Sequence, residues 1–569
     1  MKKITISRLL ACASIAVISI ATGFAQTNLG SACGCPPIGS RTAVNMSSLG
    51  VNANGELLTT DTLTCDKIYT IDQKIYVPNN VTLTVNPGVC IKGAPAPGGI
   101  PANATALIVE RGGKIIADGT VDCPIVFTST ADPMDGSYPL TNVGDWGGVV
   151  LLGKATNNLQ IGNVYCAGYN GVGFIEGFSA SNGRDLYGAG DPTFPTNDDN
   201  DNSGILRYVS IRHAGAILAI GNELNGLSLG SVGRGTKIEH LETIAAADDN
   251  IEFFGGTVNV KYCSVLFGDD DFYDWDLNWK GKGQFLFGIA GDSLTGLHTT
   301  DNGFEADADD DSKAPVLRSH PFLYNCTFIG NGHIRPSADN TGPAAIQAKE
   351  LTEGEIYNSV FANFRSGLHV ASVRSNATAK GDAYDNWTDN TADPYLTTNG
   401  GVARYHSLIV KNNTFINFPT VAPNTTRYAI TTGRMVQGKN PPTFIPLTDG
   451  SAADLAQFLA DGNTVVASVP GIDFNWAWNA THTSYTSNPF HMTPTSNIAS
   501  SITPPADGFF STVNYRGAFD ATKGSWLSDW ALMQILTSQA SNPTDLNNDG
   551  ITDINDFNIF VGKFGQPNQ

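Results

Sequence analysis

From about residue 60 the chain is written in short β-branched runs broken by turn residues. Ile68 to Ile71, Ile75 to Val77 and Val81 to Val85 come first, then Ala106 to Glu110, Lys114 to Ala117, Pro124 to Thr128 and Trp146 to Leu152. Pro78 to Asn80 and Asn86 to Gly88 are the punctuation between the first runs. No long amphipathic helix interrupts them, so the pattern predicts an all-β chain and leaves sandwich, barrel and solenoid open.

A repeat decides among the three. Ile238-Glu239-His240-Leu241-Glu242-Thr243 aligns with Val260-Lys261-Tyr262-Cys263-Ser264-Val265 at an offset of 22 residues without a gap. Leu206 to Ile211, Leu323 to Phe328 and Ile356 to Phe361 follow the same pattern. The first, fourth and sixth columns are small or apolar, and the second is polar or tyrosine. The change of parity between columns one and four predicts a corner between two strands of one coil. A period in the low twenties is one coil of a parallel β-helix, in which each coil needs neighbours to bury its face. The wider gap between residues 266 and 323 is expected to hold further coils or loops.

Three runs extend this reading: Val81-Thr82-Leu83-Thr84-Val85-Asn86-Pro87-Gly88, Gly112-Gly113-Lys114-Ile115-Ile116-Ala117-Asp118-Gly119-Thr120, and Pro124-Ile125-Val126-Phe127-Thr128-Ser129. They resemble the opening coils of exported bacterial right-handed parallel β-helix proteins of the pectin-lyase-like fold group. Asp249 to Val260 is similar to a block of uncharacterised exported proteins of that kind. The resemblance covers roughly residues 60 to 420 and implies a fold. It does not imply an activity, since the group hosts lyases, hydrolases and adhesins.

The organisation that follows is a signal peptide over 1–25, an irregular lead-in over 26–60, a right-handed parallel β-helix over 61–420, a C-terminal cap region over 421–540 and a calcium loop with a helix over 541–569. Lys2, Lys3 and Arg8 precede an apolar stretch from Leu9 to Phe24, with Gly23 and Ala25 placed for signal-peptidase cleavage. Cys12 falls inside that stretch. No other segment is long and apolar enough to span a membrane. In the cap region Ser451 to Ala460 predicts a short helix. Tyr515 to Phe519 with Trp526 and Trp530 forms an aromatic cluster, expected to cap the open end of the solenoid and alternatively to serve as a sugar platform.

The formal charge of −20 excludes a nucleic-acid partner and suits an exported protein that binds divalent cations. Eight cysteines remain beyond Cys12: Cys33, Cys35, Cys65, Cys90, Cys123, Cys166, Cys263 and Cys326. Their number permits disulfides without fixing the pairing, and Cys263 and Cys326 serve equally well as small buried side chains.

Two sets of residues carry candidate chemistry. In the first, Asp545, Asn547, Asp549, Asp553 and Asp556 stand at positions 1, 3, 5, 9 and 12 of a loop, with Gly550 at the sharp turn and the Ile551 carbonyl at position 7. Phe557, Phe560, Val561 and Phe564 then recur at helical spacing. Asp at position 12, where EF-hands carry Glu, resembles one repeat of a type I dockerin. A complete dockerin has two, and a single repeat leaves cohesin binding unsupported. In the second set, the 22-residue offset superposes Asp248 on Asp270, Asp249 on Asp271 and Glu252 on Asp274. Coils about 4.8 Å apart bring such carboxylates into repulsion unless a cation, a proton or open water intervenes. Calcium is the expected cation for both sets. Asp301-Asn302-Gly303-Phe304-Glu305 is a candidate third layer, followed by Asp307, Asp309, Asp310 and Asp311.

Lys280 and Lys282 lie near this run in sequence. β-helix pectate lyases pair calcium-binding carboxylates with a basic side chain, so a lyase is compatible. Gly268-Asp269-Asp270 is similar to the paired Asp of polygalacturonases, but the Gly-His-Gly and Arg-Ile-Lys that would follow are missing. The first functional expectation is a non-catalytic, calcium-stabilised β-helix at the cell surface or secreted, in adhesion or carbohydrate binding, with a polysaccharide or cell-surface component as partner. The rival is a calcium-dependent polysaccharide lyase or hydrolase. For the C-terminal loop, a peptide of residues 541–569 titrated with calcium is expected to give a heat of binding. No heat at millimolar calcium would remove the loop from the candidate sites.

Overall fold

The computed structural model describes residues 28–179, 181–219, 222–291, 300–308, 317–330, 343–349, 352–371, 407–418, 428–436, 443–449, 452–472 and 492–533. The segment expected to be a signal peptide, 1–25, and the expected C-terminal calcium loop with Asp545, Asn547, Asp549, Ile551, Asp553 and Asp556 lie outside the described residues.

Parallel strands stack coil on coil into a right-handed parallel β-helix with three faces. One face is an 11-stranded sheet that runs from Lys74–Val77 through Ala106–Val109, Val149–Leu152, Leu227–Gly230, Ile251–Phe254, Tyr273–Asp276, Phe304–Ala306, Ala344–Ala348 and Ser366–Ala371 to Tyr428–Val436. Thr443–Asp449 closes it as an antiparallel edge. The other two faces meet at a corner. In the first coils they are separate strands, such as Lys114–Asp118 and Ile125–Ser129, and both pair with the single long strand Gly204–Arg212. Lys237–Ile244, Asn259–Leu266 and Lys282–Ile289 continue as long strands bent at that corner. The last of these occupies part of the gap in the repeat, together with Tyr273–Asp276 and Phe304–Ala306.

The expected register holds. Ile238 pairs with Val260 and Leu241 with Cys263, and Leu241 and Cys263 are fully buried in the central core. The parity change comes from a left-handed residue in the third column of each coil: Tyr208 (φ 50°), His240 (53°), Tyr262 (55°) and Phe285 (57°), then Asn325 (58°), Asn358 (54°) and Asn412 (58°). Asn tolerates this conformation, whereas other side chains pay about 1–2 kcal/mol. The aromatic residues recover it by stacking, with ring centroids 4.5, 4.6 and 4.8 Å apart along the column. Farther along, the Asn412 amide donates to Asn358 Oδ1 at 2.7 Å.

The lead-in is tied to the first coils. Thr42–Asn45 pairs in parallel with Lys67–Ile71, and disulfides join Cys33 to Cys123 and Cys35 to Cys65. Cys90, Cys263 and Cys326 are free thiols inside the fold. After Val149–Leu152 the chain leaves the solenoid and returns at Gly204. This excursion lays Leu159, Ile175 and Tyr187 over Ile108, Val150, Leu152 and Phe254, covering part of the 11-stranded sheet from outside.

The aromatic cluster is not an end cap, a correction to the sequence expectation. The end of the solenoid is closed by the helix Ala452–Ala460, the one predicted from Ser451 to Ala460, whose Phe458 is fully buried against Phe415. Residues 492–533 instead run back along the side of the solenoid over the left-handed corner. Arg516 donates to Asn413 O at 2.8 Å and to Asn412 Oδ1 at 2.6 Å. Trp526 meets Tyr262 edge-on and Trp530 meets Tyr208. A stacked aromatic column open to water is a large apolar surface, and the strap is what covers it. Burial there pushes His240 down to about 4. The strap is pinned where the backbone N–H groups of Leu532 and Met533 donate to the two oxygens of buried Glu242, at 2.9 and 3.0 Å. Among the described residues no helix is long and apolar enough to cross a membrane.

Truncating a side chain in the middle of the inward column leaves a cavity that neighbouring coils cannot close. Leu241→Ala is expected to cost about 2–5 kcal/mol in urea unfolding. A loss under about 1 kcal/mol would mean that the column is not closely packed.

Candidate cation site on the acidic face

The site grows out of a hydrogen-bond ladder beside the 11-stranded sheet. Asn225, Asp249, Asp271 and Asn302 occupy one column, two residues before the paired strand positions Leu227, Ile251, Tyr273 and Phe304. Each side chain accepts from the backbone N–H of the next coil. Asn225 Oδ1 takes Asp249 N at 3.2 Å, Asp249 Oδ1 takes Asp271 N at 2.8 Å, Asp271 Oδ1 takes Asn302 N at 2.5 Å, and Asn302 Oδ1 takes Ala344 N at 3.0 Å. One oxygen per residue serves this ladder, and Asn supplies it as well as Asp does.

The second atom of each side chain makes the difference. On the outward side of the sheet, Ser228, Glu252, Asp274, Glu305 and Gln347 form the neighbouring column. The Asn225 amide donates to Glu252 there. Where Asp replaces Asn, at 249 and 271, the donor is replaced by another oxygen. Asp249 and Asp271 are 6% and 2% exposed, and Glu252 is 8% exposed. Charge therefore accumulates where water is excluded.

Three sets of carboxylates come within 4.8 Å of one another: Asp248 with Asp249 and Asp270, Asp249 with Glu252 and Asp274, and Asp274 with Glu305 and Asp307. Five of the six solenoid residues singled out from sequence belong to these sets. Asp271 does not; its Oδ1 accepts from the Asn302 N–H one coil farther on. Glu305 and Asp307 complete the third set. The charge between them is Lys349, whose ammonium lies 3.0 Å from Glu305 Oε1 and 3.2 Å from Asp307 Oδ2. The sequence held no signal for Lys349, because loops of unequal length separate it from the acidic run. Lys282, by contrast, is on the corner strand Lys282–Ile289 and pairs with Asp507 of the strap.

Electrostatics follow from this packing. Burial, and then Glu176, Glu223 and Glu305, push Asp248 up to about 7. Burial raises Asp249, Glu252, Asp271 and Asp274 well above the carboxylate range, and neighbouring carboxylates add to it. Asp274 Oδ1 is buried without a hydrogen-bond partner. Glu176 and Glu223 come from outside the sheet, so chain segments distant in sequence add charge of the same sign. An all-oxygen donor set of this kind fits a hard divalent cation such as calcium, and the orphaned oxygen of Asp274 is the kind of group such an ion would satisfy.

The sign of the pH effect can be worked out. A carboxyl raised in the folded state holds its proton where the unfolded chain has lost it, so stability falls as pH rises through the window. For Asp248 that window runs from 3.8 to about 7. In chelator, thermal stability is expected to decline across it. Asp249→Asn is expected to make the stability of the chelated protein less dependent on pH, since it removes a carboxyl that burial and its neighbours hold protonated and keeps the ladder oxygen. Identical pH profiles for variant and wild type would show that Asp249 holds no such proton. No curated protein and no solved structure matches the chain. Over residues 55–414, more than half of its length, the chain belongs to the pectate-lyase-like β-helix domain family.

Proposed function

We propose that this is an exported, calcium-stabilised β-helix that binds an acidic polysaccharide or another anionic cell-surface component, and that its task is adhesion rather than catalysis. The observation that carries the reading is the convergence of Asp248, Asp249, Asp270, Glu252 and Asp274 in a half-buried arc on one outer face. Calcium held there would join adjacent coils and leave coordination positions for the oxygens of an anionic polymer. Two disulfides in the lead-in support export, because such bonds persist in oxidising compartments. The signal-like N-terminus and the charge of −20 agree with it.

A calcium-dependent lyase is the second reading, and Lys349 beside Glu305 and Asp307 is what favours it. An ammonium held by two carboxylates is a poor proton acceptor, which weighs toward the binding role. The full-length protein is expected to be retained on immobilised polygalacturonate in calcium and released by chelator. Asp249→Asn combined with Asp274→Asn should abolish retention, while Asp545→Asn should leave most of it. Retention that survives the double variant would remove the solenoid site from the account. Accumulation of an unsaturated product during incubation would decide for the lyase.

A further inference from the structure

Between the excursion after Leu152 and the segment that resumes at Leu317 lies a cleft of about 490 Å³. It falls in the size range of small-ligand sites. Its character is unlike that of the acidic face. Five carboxamide residues line it, Asn157, Asn158, Gln160, Asn170 and Asn197, and no charged side chain is among its described lining.

Part of this amide set builds the walls. Asn157 donates to Gly171 O and Ser231 Oγ, each at 2.8 Å. Asn158 donates to Ala308 O at 2.5 Å and to Leu317 O at 3.0 Å. Asn170 Oδ1 accepts from Ile161 N at 2.8 Å. The remainder is uncommitted. Asn158 Oδ1 is shut off from solvent without a hydrogen-bond partner, and the side chains of Gln160 and Asn197 make no hydrogen bond among the described residues.

The geometry points to a binding site for a neutral, polyhydroxylated sugar unit. A carboxamide sets a donor beside an acceptor, which matches adjacent hydroxyl groups that also donate and accept. A lining without charge gives no preference to ions. Leu317, 38% exposed, offers apolar surface to the C–H face of a ring. The wall is shared with the acidic face, since Asn158 bonds the carbonyl of Ala308, which directly follows Asp307. A polysaccharide carrying neutral units beside acidic ones would thus be held by amides at one point and by a cation at the next. This rests on the carbohydrate-binding part of the proposed function and adds the sugar class to it.

Calorimetry on the full chain tests the cleft. The probes are neutral oligosaccharides of β-linked glucose, mannose and xylose, with oligogalacturonate as the acidic comparator, each in calcium and in chelator. At least one neutral probe should bind with an affinity that chelator leaves unchanged. Gln160→Leu with Asn197→Leu should weaken it by about tenfold or more. Both residues are exposed, so the melting temperature should stay that of the wild type. Neutral binding that persists when oligogalacturonate binding fails would uphold the cleft and sink the calcium reading alone. The cleft is overturned if every neutral probe fails to bind, or if the double variant binds as the wild type does.

Discussion

Everything in this molecule depends on coils stacking in register. An inward residue is buried only because the same column of the next coil covers it, as Leu206, Ile238 and Val260 cover one another. A slip of one residue would turn each inward column outward. Insertions are therefore confined to places where the chain can leave and rejoin without disturbing that stack, and the excursion between Leu152 and Gly204 is such a place. The outer surface of the 11-stranded sheet becomes a floor on which loops of any length can build walls.

The same constraint explains the acidic face. The ladder asks for one side-chain oxygen per coil and is indifferent to what the second atom is. Asn225 spends that atom as a donor to Glu252, and Asp at 249 and 271 has no donor to spend. The fold thus tolerates two buried charges at positions where its own architecture gains nothing from them. Such a cost, carried at two consecutive coils beside an Asp248 that Glu176 and Glu223 press from outside the sheet, marks a face built for something other than stability.

How much could be read from the sequence follows from where gaps fall. Ile238 and Val260 are legible as a pair because their coils have equal length. The coil through Phe285 is hidden by one extra residue and by Gly283 in its first column. The acidic ladder is half legible for the same reason. Asp249 and Asp271 are 22 residues apart, but their partners Asn302 and Ala344 lie across loops of other lengths. Lys349 could not be found without knowing that Ala348 stacks on Ala306. The aromatic cluster was misplaced because local pattern reveals that a segment is apolar, not which of several apolar surfaces it will cover. The β-helix itself needed only periodicity.

The strap has a consequence for how the chain is made. Glu242 waits for partners 290 residues farther on, and the corner formed by Tyr208, His240 and Tyr262 waits for Trp526 and Trp530. The coils can accrete one upon another as the polypeptide emerges, each needing only its predecessor. Closing so long a loop is not prohibitive, because its entropic cost grows only with the logarithm of its length. Yet it comes last. Until then the nascent solenoid carries a strip of bare rings along its flank, the sort of surface on which chaperones act and partially made chains aggregate. A prematurely ended product keeps that strip for good. Docking of the strap thus requires synthesis to pass Met533, so burial of that strip separates a chain that carries the strap from one cut short of it.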